Sequence, residues 1–149
     1  MKMQNILLKI ITPERVVLEE NVYQVTLPLV NGEITMLPDH IPFISLLKVG
    51  EIQVRSEKDS EISLLSTSGG FLEFHDNILT LLADTAERAE EIDMQKAKDA
   101  VARAEALMKN IPQDTSDAYL RTAALLEKER MRIHVARKHH SRRGQHFEQ

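Results

Sequence analysis

The chain of 149 residues has no cysteine and no tryptophan. Without cysteine there are no disulfides, no thiolate metal sites and no thiol nucleophile. With four Phe and two Tyr as its only aromatics, it lacks the side chains for a large aromatic ligand pocket or a base-stacking platform. No apolar run approaches the roughly 18 residues that a membrane-spanning helix needs, and Pro13 and Glu14 end the short apolar stretch near the start before it resembles a signal peptide. The expectation is a protein that meets a membrane only through other proteins. No catalytic constellation is legible: His40 sits between Pro38 and Pro42 with no nearby residues completing a triad. His134 and the His139-His140 pair lack carboxylate or thiolate partners at metal-ligand spacing.

What is present is aliphatic and divided in two. Up to about residue 84 the chain reads as short strands: Ile6 to Ile11, Val22 to Val30, Glu51 to Arg55, Glu61 to Ser66, Gly70 to Phe74 and Ile78 to Ala83. His75-Asp76-Asn77 is a compact hairpin turn between the last two. Many closely spaced strands with no helical period between them predict an antiparallel β-sandwich or barrel.

After Asp84 the period changes. Ala97, Ala100, Val101, Ala104, Leu107, Met108 and Ile111 recur at helical steps until Pro112. Asp114, Thr115, Ser116 and Asp117 offer N-cap chemistry for a second helix through Tyr119, Leu120, Ala123, Ala124, Leu126, Met131, Ile133 and Val135. Two Ala-rich helices joined by a short turn predict an antiparallel hairpin. Alanine buries little apolar area, so such a seam is weakly held and suited to movement. The fold class expected is therefore α+β, with a sandwich over residues 1–87, a hairpin over 88–138, and a mobile basic tail over 139–149, where apolar periodicity is lost.

Charge follows the same division. Residues 1–87 carry 6 Lys/Arg against 13 Asp/Glu, whereas residues 88–149 carry 13 against 10. The run Lys128, Arg130, Arg132, Arg137, Lys138, Arg142 and Arg143 is suited to an acidic surface. Nucleic acid is disfavoured as that surface by the acidic first part, the few aromatics and the lack of a known binding module.

Two strings carry a family resemblance: LVNGEITMLPDHIPF at residues 29–43 and GGFLEFHDNILTLLADTAERAEE at residues 69–91. With the expected sandwich and hairpin, they make residues 4–138 resemble the epsilon subunit of F-type ATP synthases. Thr35 and Asp39 stand where that family often has glycine.

The resemblance implies a non-catalytic rotor subunit at the cytoplasmic face of a bacterial inner membrane, with no cofactor required. In such a subunit the sandwich binds the gamma subunit and lies near the c ring, with Glu33 and His40 as interface candidates. The hairpin would extend toward the catalytic beta and alpha subunits and block ATP hydrolysis, presenting the basic face of Lys128, Arg130, Arg132, Arg137 and Lys138.

Ile92-Asp93-Met94-Gln95-Lys96-Ala97 looks like a motif with which some members bind ATP, and Glu87, Lys128 and Arg132 match further positions of that site. The residues carried over are thus Glu87, Ile92, Asp93, Lys96, Ala97, Lys128 and Arg132. Lys96 and Lys128 replace the usual arginines and lose the planar fork that grips phosphate, so the implied ATP binding is weak and regulatory.

Overall fold

The computed structural model describes residues 4–113 and 116–145. It divides into two compact units, the boundary falling between Arg88 and Ala89. Each is described by itself.

Among the described residues the first unit holds eight strands: β1 (Ile6–Ile11), β2 (Val16–Val22), β3 (Gln24–Leu29), β4 (Gly32–Met36), β5 (Phe43–Arg55), β6 (Ile62–His75), β7 (Ile78–Ala83) and β8 (Ala86–Arg88). They form one ladder in the order β2-β1-β7-β6-β5-β3-β4, with β8 also on β6. One continuous core draws Ile6, Leu8 and Ile10 of β1 together with Leu27 of β3, Met36 of β4, Ile52 of β5, Phe74 of β6 and Leu81 of β7. The ladder thus closes over its own inner face as a β-sandwich. Alternation explains which residues go inside, since successive strand side chains point to opposite faces. Ile6, Leu8 and Ile10 are fully buried and Leu7, Lys9 and Ile11 only half-buried.

The strand pattern departs from the sequence reading in several ways, beginning with residues 16–21 of β2, residues 43–50 of β5 and the whole of β8, none of which was read as strand. β1 and β7 pair in parallel, whereas the other ladders are antiparallel. Their partnership joins segments far apart in the chain, which no local pattern encodes. Val22 to Val30 is two strands, β2 ending at Val22 and β3 starting at Gln24, with the Tyr23 amide donating to the Arg55 carbonyl between them. β4 occupies residues read as loop, joined to β3 by a tight turn at Val30-Asn31 before Gly32 at φ 123°. Finally, Glu61 to Ser66 and Gly70 to Phe74 are one strand, β6, which pairs with β8 through Leu65–Thr67 and with β7 through Gly70–His75. Gly69 and Gly70 sit at φ 109° and 143° where it changes partner, a conformation glycine adopts without a Cβ penalty.

The second unit opens with a single 3-10 turn (Ala89–Glu91), followed by helices α1 (Met94–Asn110) and α2 (Asp117–Gln145). Asp93 caps α1, its carboxylate accepting from the Lys96 amide at 3.0 Å. Ser116 serves α2, its hydroxyl accepting from the Tyr119 amide at 3.3 Å; Asp114 and Thr115 lie outside the described residues. Arg130 of α2 meets Glu105 of α1 at 2.9 Å, fixing an antiparallel register. Ala97 and Ala104 are fully buried, but Leu107, expected on the same face, is 54% exposed.

The tail expected over residues 139–149 is corrected in part: α2 continues to Gln145, and residues 146–149 lie outside the described residues. Helix needs no apolar stripe where propensity and end charges suffice. The His140 ring nitrogen bonds the Ala136 carbonyl at 2.7 Å, and Arg142 and Arg143 lie at the negative end of the helix dipole.

Candidate functional site

The outer face of the sandwich carries a feature that strand-by-strand reading missed. In register, Leu46 of β5 faces Phe71 of β6, Phe71 faces Leu82 of β7, Leu82 faces Ile11 of β1, and Ile11 faces Val16 of β2. Leu46, Phe71, Leu82 and Val16 are each at least half exposed. Five strands at about 4.8 Å spacing make an apolar row about 19 Å long. Ile44, one pleat along β5, is 75% exposed and widens it. A contiguous uncovered apolar surface of this kind marks an interaction site. The local signal was present, because the outer positions Leu46, Phe71 and Leu82 alternate with core residues. Only the register aligned them.

Glu33 is exposed on β4, just beyond the β3-β4 turn, opposite Pro28. Beside it lies a groove of about 380 Å3 lined by Leu29, Gly32, Ile34, Phe43 and Ile44 as well as Glu33 itself. His40 lies in the loop joining β4 to β5. Its ring packs edge-on against Phe74, centroids 5.7 Å apart, and against Phe43 at 6.2 Å, while Nδ1 is 2.8 Å from the Ile41 carbonyl. That is a structural wedge. Glu33 and His40 therefore flank the same sheet end through Phe43, one as an exposed carboxylate and the other as a packed ring.

In the hairpin unit, Ile92 is buried, Ala97 is fully buried, and Asp93 and Lys96 are exposed at the start of α1. Lys96 Nζ is 4.0 Å from the Asp93 carboxylate, an exposed pairing of little energetic weight. Lys128 is half-buried on α2, and Arg132 is bonded to the buried Glu129 at 2.7 Å. With Glu105 opposite Arg130 and a rise of about 1.5 Å per residue, Arg132 and Lys128 fall roughly 10 and 16 Å along the axis from Lys96. The α1 start and the α2 cations are thus offset along the hairpin. Glu87 belongs to the other unit, on β8 opposite Ser66.

The five residues of the basic face are not equally presented. Arg130 is held by Glu105 and Arg132 by Glu129, while Arg137 is exposed and Lys138 half-buried. A groove of about 490 Å3 runs beside them, lined by Met108, Leu126, Met131 and His134 among others. Among the described residues no group of three or more His, Cys, Asp or Glu could hold a metal ion, and no described helix is long and apolar enough to cross a membrane.

Comparison with known proteins agrees with this architecture. The model of the ATP synthase delta/epsilon chain β-sandwich domain matches residues 5–89. The ATP synthase epsilon chain of Geobacter sulfurreducens is 39% identical over 129 residues, covering 87% of this chain and 91% of the relative. That of Nitratidesulfovibrio vulgaris is 39% identical over 126 residues, 85% and 92% of the two chains. Among solved structures, a chain of the Euglena gracilis mitochondrial ATP synthase, in a cryo-EM structure of OSCP, F1 and c-ring, superposes with a TM-score of 0.69 at 24% identity, covering 85% of this chain and 78% of its own. A chain of the Tetrahymena thermophila mitochondrial ATP synthase central stalk and c-ring gives 0.58 at 16% identity, over 91% and 99%. These two likenesses carry the fold alone. By the match across its sandwich and by relatives aligned over most of its length, the chain belongs to the ATP synthase epsilon chain family, as a non-catalytic subunit of the central stalk.

Proposed function

We propose that the sandwich docks the gamma subunit through the apolar row from Val16 to Leu46 and presents Glu33 and the His40 loop at the gamma and c-ring contacts. The row is the single observation that carries this reading. It is apolar across five strands, and a folded domain gains by covering it. On this reading the chain helps couple ion-driven rotation to ATP synthesis, peripherally, at the cytoplasmic face of a bacterial inner membrane. The test is co-expression of the chain with the gamma subunit of the same genome, followed by size-exclusion chromatography and calorimetry. One-to-one binding supports the docking surface, and a well-folded chain that ignores gamma sinks it.

The hairpin is the regulatory part of the proposal. Its seam buries small side chains, with Ala97 and Ala104 fully enclosed, so a competing surface can displace it at modest cost. Opening would free Arg130 from Glu105 and turn the basic face toward acidic segments of the catalytic beta and alpha subunits, where charge gives orientation and speed of association. Removing residues 89–149 is expected to leave gamma binding intact and to raise ATP hydrolysis by the assembled complex about fivefold, the lower end of common coupling between sites. Equal hydrolysis rates with and without the hairpin would remove the inhibitory role.

A weak regulatory ATP is the further part. Asp93 and Lys96 are exposed at the start of α1, where the helix dipole favours an anion, and Lys128 and Arg132 lie along the partner helix. Because those groups are offset along the axis, a nucleotide would have to lie lengthwise or draw the helices into a new register. Calorimetric titration of the full chain with ATP decides it: weak binding lost in Asp93→Ala supports the site, and no heat above dilution removes the ligand.

A further inference from the structure

The loop between β4 and β5 is tied down by a residue pair remote in sequence. The Asp39 amide donates to Asn77 Oδ1 at 2.6 Å, and Asn77 Nδ2 donates back to the Asp39 carboxylate at 3.0 Å. The Gln4 side-chain amide, nitrogen inward, faces the same carboxylate. Both members of the pair sit in the left-handed region, Asp39 at φ 64° and Asn77 at φ 60°. Asp and Asn tolerate this conformation better than other residues with a Cβ, at a small cost that the reciprocal bonds offset.

Asn77 is also part of the β6-β7 turn, and its carbonyl accepts from the Leu7 amide of β1 at 2.8 Å. One turn residue therefore ties the loop to β1, β6 and β7. The Leu37 carbonyl accepts from the His40 amide at 3.3 Å, tightening the loop from within.

The segment so held is apolar and outward-facing. Ile41 is 71% exposed and Leu37 42%, and the loop runs straight into β5 with its exposed Ile44 and Leu46. It is thus continuous with the row assigned above to gamma docking.

Resting on that reading, we infer that Asp39 and Asn77 are a positioning pair that fixes the loop over residues 37–42 in the form that gamma binds. Ordering a loop at the moment of binding costs affinity, and a loop already ordered by the fold avoids that cost. The partner's contact is made by Leu37, Ile41 and Ile44, and the pair acts through them.

An Asn77→Asp chain tests this, because it is nearly isosteric, keeps a residue suited to the turn, and sets two carboxylates face to face. Asp39→Asn/Asn77→Asp restores a donor and an acceptor across the same gap. For the single variant, hydrogen exchange at the Asp39 and His40 amides and dissociation from gamma should each rise about tenfold, and the exchanged pair should return both to within about threefold of the parent.

If those amides exchange in Asn77→Asp as in the parent, the pair does not hold the loop and the inference fails. Looser amides with unchanged gamma affinity would overturn it too, while leaving docking through the row intact. A parent chain that does not bind gamma at all would instead sink the docking proposal beneath it.

Discussion

A Phe71→Asp chain is expected to fold as the parent does and to bind the gamma subunit about 100-fold more weakly, as loss of a central interface anchor does. Phe71 is 60% exposed, so its ring contributes little to the sandwich core. It stands mid-row, between Leu46 and Leu82 in register, where a partner would enclose it on both sides. Burying an unpaired carboxylate there adds a desolvation penalty to the lost apolar contact. Urea unfolding should move little, which separates a surface effect from a folding one. Lys58→Ala, exposed in the turn between β5 and β6 and away from the row, is the comparison: it removes a charge without touching the docking surface. If Phe71→Asp binds gamma as the parent does, the row is not the docking surface.

The largest stability loss should come from Gly70→Ala. A Cβ at this position would stand 2.1 Å from the Leu82 carbonyl oxygen and 2.8 Å from Ala83 Cα, both backbone atoms of the neighbouring strand, and the residue holds φ 143°. Neither strain can be relieved by turning a side chain, because β7 would have to move off β6. Backbone strain and overpacking together should cost about 4 kcal/mol. Gly32→Ala is the contrast: it also has positive φ, 123°, but nothing lies within 4 Å of the added carbon. It should cost about 1 kcal/mol, the conformational part alone. Chemical denaturation of the two variants measures the difference. Equal midpoints would mean that β6 and β7 do not approach as closely as described.

Two departures from the family pattern now have physical accounts. Thr35, in place of a common glycine, faces Thr26 across β3 and β4, and the two hydroxyls bond at 2.8 Å. A cross-strand Thr pair is favourable in a sheet. Asp39 keeps the left-handed backbone for which glycine is the usual choice, and its carboxylate accepts from Asn77. Both are substitutions that the loop and strand accommodate through new bonds.

The divide between strands and helices was legible because it rests on local periods, two for strands and 3.6 for helices, and Pro112 stops the first helix as a residue without an amide donor must. β1 and β7 were legible at their observed bounds from their runs of β-branched and aliphatic residues. Glu129 was not: a carboxylate 5% exposed within α2 is invisible until Arg132, three residues on, is seen to bond it. The continuation of α2 to Gln145 was missed because the helix was ended where apolar periodicity is lost, whereas helix propensity and the charges of Arg142 and Arg143 suit the last turns.

By itself, then, the sequence determined the two units, the element types and the family likeness, all of which follow from short-range patterns and ordered local strings. Only the tertiary structure decided the parallel pairing of β1 with β7, the alignment of five outward apolar residues into one row, and the bond between Asp39 and Asn77. Each joins segments distant in the chain, and their partners are selected by the closing of the whole sheet over one core, a choice no local window contains.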